Sequence, residues 1–185
     1  MSSATTAATA VTYTIDPSHS SVNFRIRHYM VSNFRGGFSK ITGQVIFDPN
    51  NPANTKIDAR IDANSLHPSE ERRDAHLKGA DIFNTAQYPE IRFQSKKVAP
   101  DGKNQWKITG DLTLRDVTKE ITLDVESAGA EAKDPWGNLR TGASSETTIK
   151  RSDFGLTFNV PLETGGFMLG DDIHIHVDIE LMRKP

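Results

Sequence analysis

The chain has 185 residues, 36% of them hydrophobic and 25% charged, with a net charge of −2 and no cysteine. That length suits one all-β domain, and the missing cysteines exclude disulfides, thiolate metal sites and thiol nucleophiles. Neither the net charge nor any Lys/Arg run supports nucleic-acid binding, and no apolar stretch approaches the roughly 20 residues of a membrane helix, which excludes stable insertion of that kind.

Residues 1–10 are small and polar with nothing to bury, so a disordered tail is expected there, followed by a single domain over residues 11–185. The start lacks the basic and apolar regions of a signal peptide. As written it points to the cytoplasm, or to the periplasm if an N-terminal segment has been removed.

After the tail, apolar and polar residues alternate in segment after segment, the signature of half-buried strands. Val22, Phe24, Ile26 and His28 share a face against Ser21, Asn23, Arg25 and Arg27. Gly36-Gly37 reads as a turn, as does Gly165-Gly166. Ile41, Gly43, Val45 and Phe47 follow, then the turn Asp48-Pro49-Asn50-Asn51-Pro52 and Ile57, Ala59, Ile61 and Ala63.

Ser69-Glu70-Glu71-Arg72-Arg73-Asp74-Ala75-His76-Leu77-Lys78 breaks the pattern. Its helix formers, a possible Ser69 N-cap, early glutamates and Gly79 stop predict a short helix of about three turns. Ala75, Leu77, Ile82 and Phe83 give it one packing edge, enough to cap a barrel end.

Alternation resumes with Ile91, Phe93 and Ser95, then with Trp106, Ile108, Gly110, Leu112 and Leu114. Arg115-Asp116-Val117 turns tightly into Ile121, Leu123 and Val125. Residues 139–149 are polar on both faces and give a weak strand signal. Phe154, Leu156, Phe158 and Val160 alternate, and the last strand carries Ile173, Ile175, Val177, Ile179 and Leu181. Hairpin-length connections imply an antiparallel sheet, either stacked as a sandwich or rolled into a barrel. The small inward residues Gly43, Ala59, Ala63, Ser95 and Gly110 either leave room for a ligand or mark bends and bulges.

The chain resembles the YceI-like family of lipocalin-like, polyisoprenoid-binding proteins. The match runs through Tyr13-Thr14-Ile15-Asp16-Pro17-Ser18-His19-Ser20, Arg73-Asp74-Ala75-His76-Leu77, Asp81-Ile82-Phe83 and Tyr88-Pro89-Glu90-Ile91-Arg92-Phe93. It continues through Gly110-Asp111-Leu112-Thr113-Leu114, Arg151-Ser152-Asp153-Phe154-Gly155-Leu156 and Gly170-Asp171. Arg115-Asp116 stands where the family usually has a glycine. The resemblance implies an elongated eight-stranded antiparallel barrel with one short capping helix, often dimeric, holding a long isoprenoid or fatty amphiphile. The family supplies no agreed catalytic residues, so none is carried over, and the residues themselves call for no metal or cofactor.

On this reading the ligand wall is Phe24, Ile26, His28, Phe38, Val45, Phe47, Ile61, Phe93, Leu112, Leu123, Phe154, Phe158, Ile175 and Val177. His28 would reach a headgroup at the mouth or pin the barrel end, and His19 would pin it too. Arg73 with Asp74, and Arg151 with Asp153, read as ion pairs locking the helix and the Phe154 segment in place. His174 and His176 share the outer face at a spacing zinc or copper can use, but no third ligand is fixed, so a solvated or dimer-contact face is expected. A lipid-modifying enzyme and a filled barrel acting through its surface as a dimeric stress protein are the alternatives.

Overall fold

A computed structural model describes residues 10–67 and 70–184. Except for Ala10, the expected tail lies outside the described residues, as does Ser69.

The alternating segments form twelve antiparallel strands among the described residues: β1 (Val11–Ile15), β2 (Ser21–His28), β3 (Ser32–Phe38), β4 (Ile41–Phe47), β5 (Lys56–Asp62), β6 (Leu66–His67), β7 (Glu90–Gly102), β8 (Gln105–Leu114), β9 (Val117–Ser127), β10 (Ala132–Lys133), β11 (Leu139–Lys150) and β12 (Leu169–Arg183). Helix α1 (Glu71–Lys78) sits between β6 and β7. Pairing runs β11-β9-β8-β7-β5-β4-β1-β12, and β12 pairs back onto β11, closing an eight-stranded antiparallel barrel.

Three positions in that ring hold broken strands. β12 pairs with β1 near its C-terminal end and with β2 along its earlier half, so β1 and β2 lie in line. β4 and β3 continue the same way, followed by β5 and β6. The extra tier formed by β2, β3 and β6 elongates the barrel toward α1.

The first break is held by the Asp16-Pro17-Ser18-His19-Ser20 motif. The Ser18 backbone N–H donates to Asp16 Oδ1 at 2.9 Å, and the Asp16 N–H donates to the Glu180 carbonyl at 2.9 Å. Arg140 on β11 donates to Asp16 at 2.7 Å and to Asp134 at 2.8 Å, and it also bonds Glu180. The Arg140 bond, with a further one from His19, holds the Asp16 carboxyl down at about 2.

Helix α1 begins one residue later than a Ser69 cap would require. Glu70 is its N-cap, accepting from the Arg73 N–H at 3.1 Å, while Asp74 accepts from the Glu70 N–H at 3.2 Å. The Arg73 guanidinium lies over the Phe34 ring at 5.3 Å and His76 meets Phe158 edge-on at 5.1 Å. Leu77 and Phe83 pack into the core, whereas Ala75 is exposed.

Other elements differ from expectation. Gly36-Gly37 lies inside β3, where an added Cβ at Gly37 would come within 2.6 Å of Asn23 Oδ1 and 2.9 Å of His67 Nε2. The Val22 carbonyl, 2.8 Å from the same point, makes this a close approach of the neighbouring strand rather than a turn. Residues 139–149 form a long strand despite their polarity, because pairing with β12 and β9 satisfies the backbone and seals the barrel. The Phe154 to Val160 run is not a strand. A 3-10 turn over Arg151–Phe154 ends at Gly155, whose φ of +70° breaks extension. Arg151 does not pair with Asp153; it donates to the carbonyls of Gly170 (2.8 Å), Phe158 (2.9 Å) and Leu156, fastening the loop to β12. Arg73 does pair with Asp74, at 3.6 Å.

Candidate functional site: an apolar tunnel

The barrel encloses a cavity of about 240 Å3. Its wall takes inward residues from each strand of the ring. On β12 alone Ile173, Ile175, Val177, Ile179 and Leu181 all line it, about 25 Å of strand at ~3.3 Å per residue. Among the described residues, the polar ones on the wall are Ser144, Ser145 and Thr147, all on β11. Ser145 Oγ donates to the Asp124 carbonyl at 2.7 Å, so its hydroxyl is bonded to the sheet itself. No ionisable side chain of the described residues lines this space.

Of the wall expected from sequence, Phe24, Phe38, Val45, Ile61, Phe93, Leu112, Leu123, Ile175 and Val177 line the tunnel. Ile26 and Phe158 line a smaller cavity of about 80 Å3 toward the α1 end, which shares Phe24, Phe83, Leu156 and Ile173 with the tunnel wall. Three residues line neither cavity. Phe154 is 2% exposed and belongs to the solid core beneath the helix. Phe47 meets Trp106 edge-on at 6.0 Å. His28, at the end of β2, turns its ring onto Tyr29 at 4.4 Å, beyond the tunnel.

The small inward residues divide. Ala59 lines the tunnel, but an added Cβ at Gly110 would sit 2.7 Å from the Phe93 ring and 2.4 Å from the Gln94 carbonyl. Gly110 thus gives its space to Phe93, beside a bulge between Ser95 and Lys97. Ser95 accepts the Ile57 N–H at 2.8 Å.

Phe83, expected only as part of the helix's packing edge because strand periodicity is silent in a loop, borders both cavities. Its ring meets Phe38 edge-on at 5.6 Å. Phe38 in turn packs on Phe24 at 5.9 Å, and Phe24 on Phe34 at 5.9 Å. These rings form a partition between tunnel and smaller cavity.

The opposite end is closed by polar contacts. Tyr13, facing inward beside Val45, donates to Glu131 at 2.7 Å, and Arg183 reaches Glu131 at 3.1 Å. Burial, followed by that bond, pushes the Tyr13 phenol up to about 12.

The outer histidines have partners in the sheet. His174 Nδ1 lies 2.9 Å from Thr148 Oγ1, and His176 sits between Asp178 (2.7 Å) and Glu146 (3.3 Å). Among the described residues, one His/carboxylate trio has metal-ligand proximity: Asp16, His19 and Glu180. Arg140 already occupies two of its carboxylates.

A closed eight-stranded barrel with a short helix is also the fold that comparison with known proteins returns. The model of the YceI-like domain matches residues 13–181. The chain belongs to the YceI-like family. A UPF0312 protein of Staphylococcus aureus strain N315 is 38% identical over 168 residues, 91% of this chain and 95% of its own length. Burkholderia cenocepacia BcnA superposes with a TM-score of 0.73 at 25% identity, covering 90% of this chain and 98% of its own. The Campylobacter jejuni YCEI protein gives 0.71 at 34% identity, covering 85% and 90%. A polyisoprenoid binding domain from Saccharophagus degradans shares the fold, with a TM-score of 0.68 at 16% identity, covering 93% and 98%. For this YceI-like chain, the Arg115 turn carries the cost of the missing glycine: its φ is +57°.

Proposed function

We propose that this protein binds and carries a long-chain isoprenoid or related amphiphilic lipid inside its barrel, without chemically altering it. The observation that carries the reading is the apolar tunnel of about 240 Å3, whose wall among the described residues holds no ionisable side chain. Acid–base turnover needs a titratable group at the reacting atom, and none of the described residues brings one to this space. A polyisoprenoid binding domain on the same fold agrees with the ligand class.

Magnitudes set the terms of binding. Each methylene-sized group buried contributes about 0.8 kcal/mol. Micromolar affinity requires about 8 kcal/mol net, so about ten groups must be buried before the cost of ordering the chain is met, and more after it. On this reading a tightly held chain runs through the tunnel into the smaller cavity and moves the Phe24–Phe38–Phe83 partition.

Organic extraction of the purified protein followed by mass spectrometry, alongside uptake of a fluorescent polyene, tests the proposal. A stoichiometric long-chain lipid in the extract and saturable uptake are expected. A clean extract with no uptake would overturn it.

A further inference from the structure

Six large hydrophobic side chains stand exposed among the described residues, and five of them lie at one end of the barrel. Tyr29, Met30 and Val31 form the tip of the β2–β3 hairpin, at 48%, 50% and 78% exposure; Val160 and Phe167 lie on the neighbouring loop at 43% and 54%. Trp136 is elsewhere, in the turn before β11.

This tip is built, not frayed. The Tyr29 N–H donates to the Met168 carbonyl at 2.7 Å, and the Met168 N–H to Val160 at 2.8 Å. Pro161 bridges to Phe167, and the Asn159 side chain bonds both backbone groups of Leu169. Arg27 caps the tip by donating to the Met30 carbonyl at 2.8 Å.

Tyr29 and Met30 also take φ values of +50° and +60°. A hairpin tip in that region favours Asn or Gly, and bulky residues are strained there. Strain and exposure together are borne by side chains that would gain from leaving water.

The surroundings fit one occupant. Residues 21–38 contain Arg25, Arg27 and Arg35 but no Asp or Glu, in a chain whose net charge is −2. Arg25 and Arg35 face each other across β2 and β3, an arrangement that like charges disfavour. The acidic residues nearby lie off this hairpin: Glu163 on the adjacent loop, Asp81 on the wall of the smaller cavity, and Glu146 in the outer groove that Arg25 and Arg35 line. Just inside the tip lies the smaller cavity, with Ile26, Phe34 and Leu169 on its wall.

We infer that the Tyr29–Met30–Val31 and Val160–Phe167 tip is a docking surface for an anionic lipid bilayer, through which the tunnel loads. The inference rests on the lipid-carrying reading. The apolar tip enters the interfacial region, the arginines meet the headgroups, and the chain passes from bilayer to cavity without crossing water.

The test uses the full chain, phosphatidylcholine vesicles with and without phosphatidylglycerol, and the Val31→Asp/Phe167→Asp double variant. A second variant, Arg25→Glu/Arg35→Glu, probes charge alone. The wild type is expected to sediment with the phosphatidylglycerol vesicles, the apolar-tip variant roughly tenfold less, and the charge variant to lose the phosphatidylglycerol dependence. Polyene uptake from a cyclodextrin complex should be unchanged in both. Equal sedimentation of wild type and tip variant, or none by the wild type, overturns the inference even when cyclodextrin uptake is normal. A lipid-free wild-type dimer that the tip variant dissolves also overturns it. Failed cyclodextrin uptake by the wild type instead removes the carrier reading, while tip-dependent sedimentation would still support the surface.

Discussion

At one end of the barrel Tyr13, Glu131 and Arg183 close the interior with hydrogen bonds and an ion pair. At the other, Phe24, Phe38 and Phe83 close it with tilted and edge-on ring contacts under a short helix. The two closures differ in how readily they yield. The directed bond of a buried group such as the Tyr13 hydroxyl is lost whole when its partner moves, whereas rings can change rotamer and keep most of their contacts. The polar end thus acts as a floor and the aromatic end as a door. Both cavities meet at the aromatic end, and the exposed apolar tip lies beside it.

That contrast can be broken or sharpened by substitution. The largest effect is expected at Phe154, which is solid core under the door. Phe154→Ala should cost about 3–5 kcal/mol, read as a lowered urea midpoint with an unchanged slope. Next is an alkaline titration of the floor. The folded Tyr13 phenol sits at about 12 against an ordinary 10, so its stabilisation is complete below pH 10 and lost as pH rises through 12. On the order of 2 kcal/mol should disappear over that window, and Tyr13→Phe should not show this loss.

Ala59→Phe narrows the tunnel midway and should weaken polyene uptake about tenfold, or about 1.4 kcal/mol, while the barrel still folds. The smallest effect is Tyr13→Phe at neutral pH. It should cost about 1 kcal/mol and leave uptake untouched, because loading does not use the floor. Faster uptake in that variant would reverse the assignment of floor and door.

Much of the tunnel was legible because period-two alternation assigns faces wherever a strand is continuous. That is why Phe93, Leu112, Leu123, Ile175 and Val177 were readable as wall. It fails where tertiary context decides. β11 shows no hydrophobic face, yet its eleven-residue pairing with β12 closes the ring. Phe154 and Phe158 alternate like strand residues, but Gly155 and the Arg151 bonds to loop carbonyls fold that stretch into a cover. His28 follows the inward parity and still misses the tunnel, since β2 outlasts the enclosed space. Phe83, a door residue, sits in a loop with no period to reveal it.

The most direct test is a crystal structure of the protein after loading with a polyprenyl chain. Continuous density should run from beside Leu181 past a displaced Phe24–Phe83 partition toward Ile26 and Phe158. An interior in which those rings stay in place and no density threads between them would contradict a barrel that carries lipid.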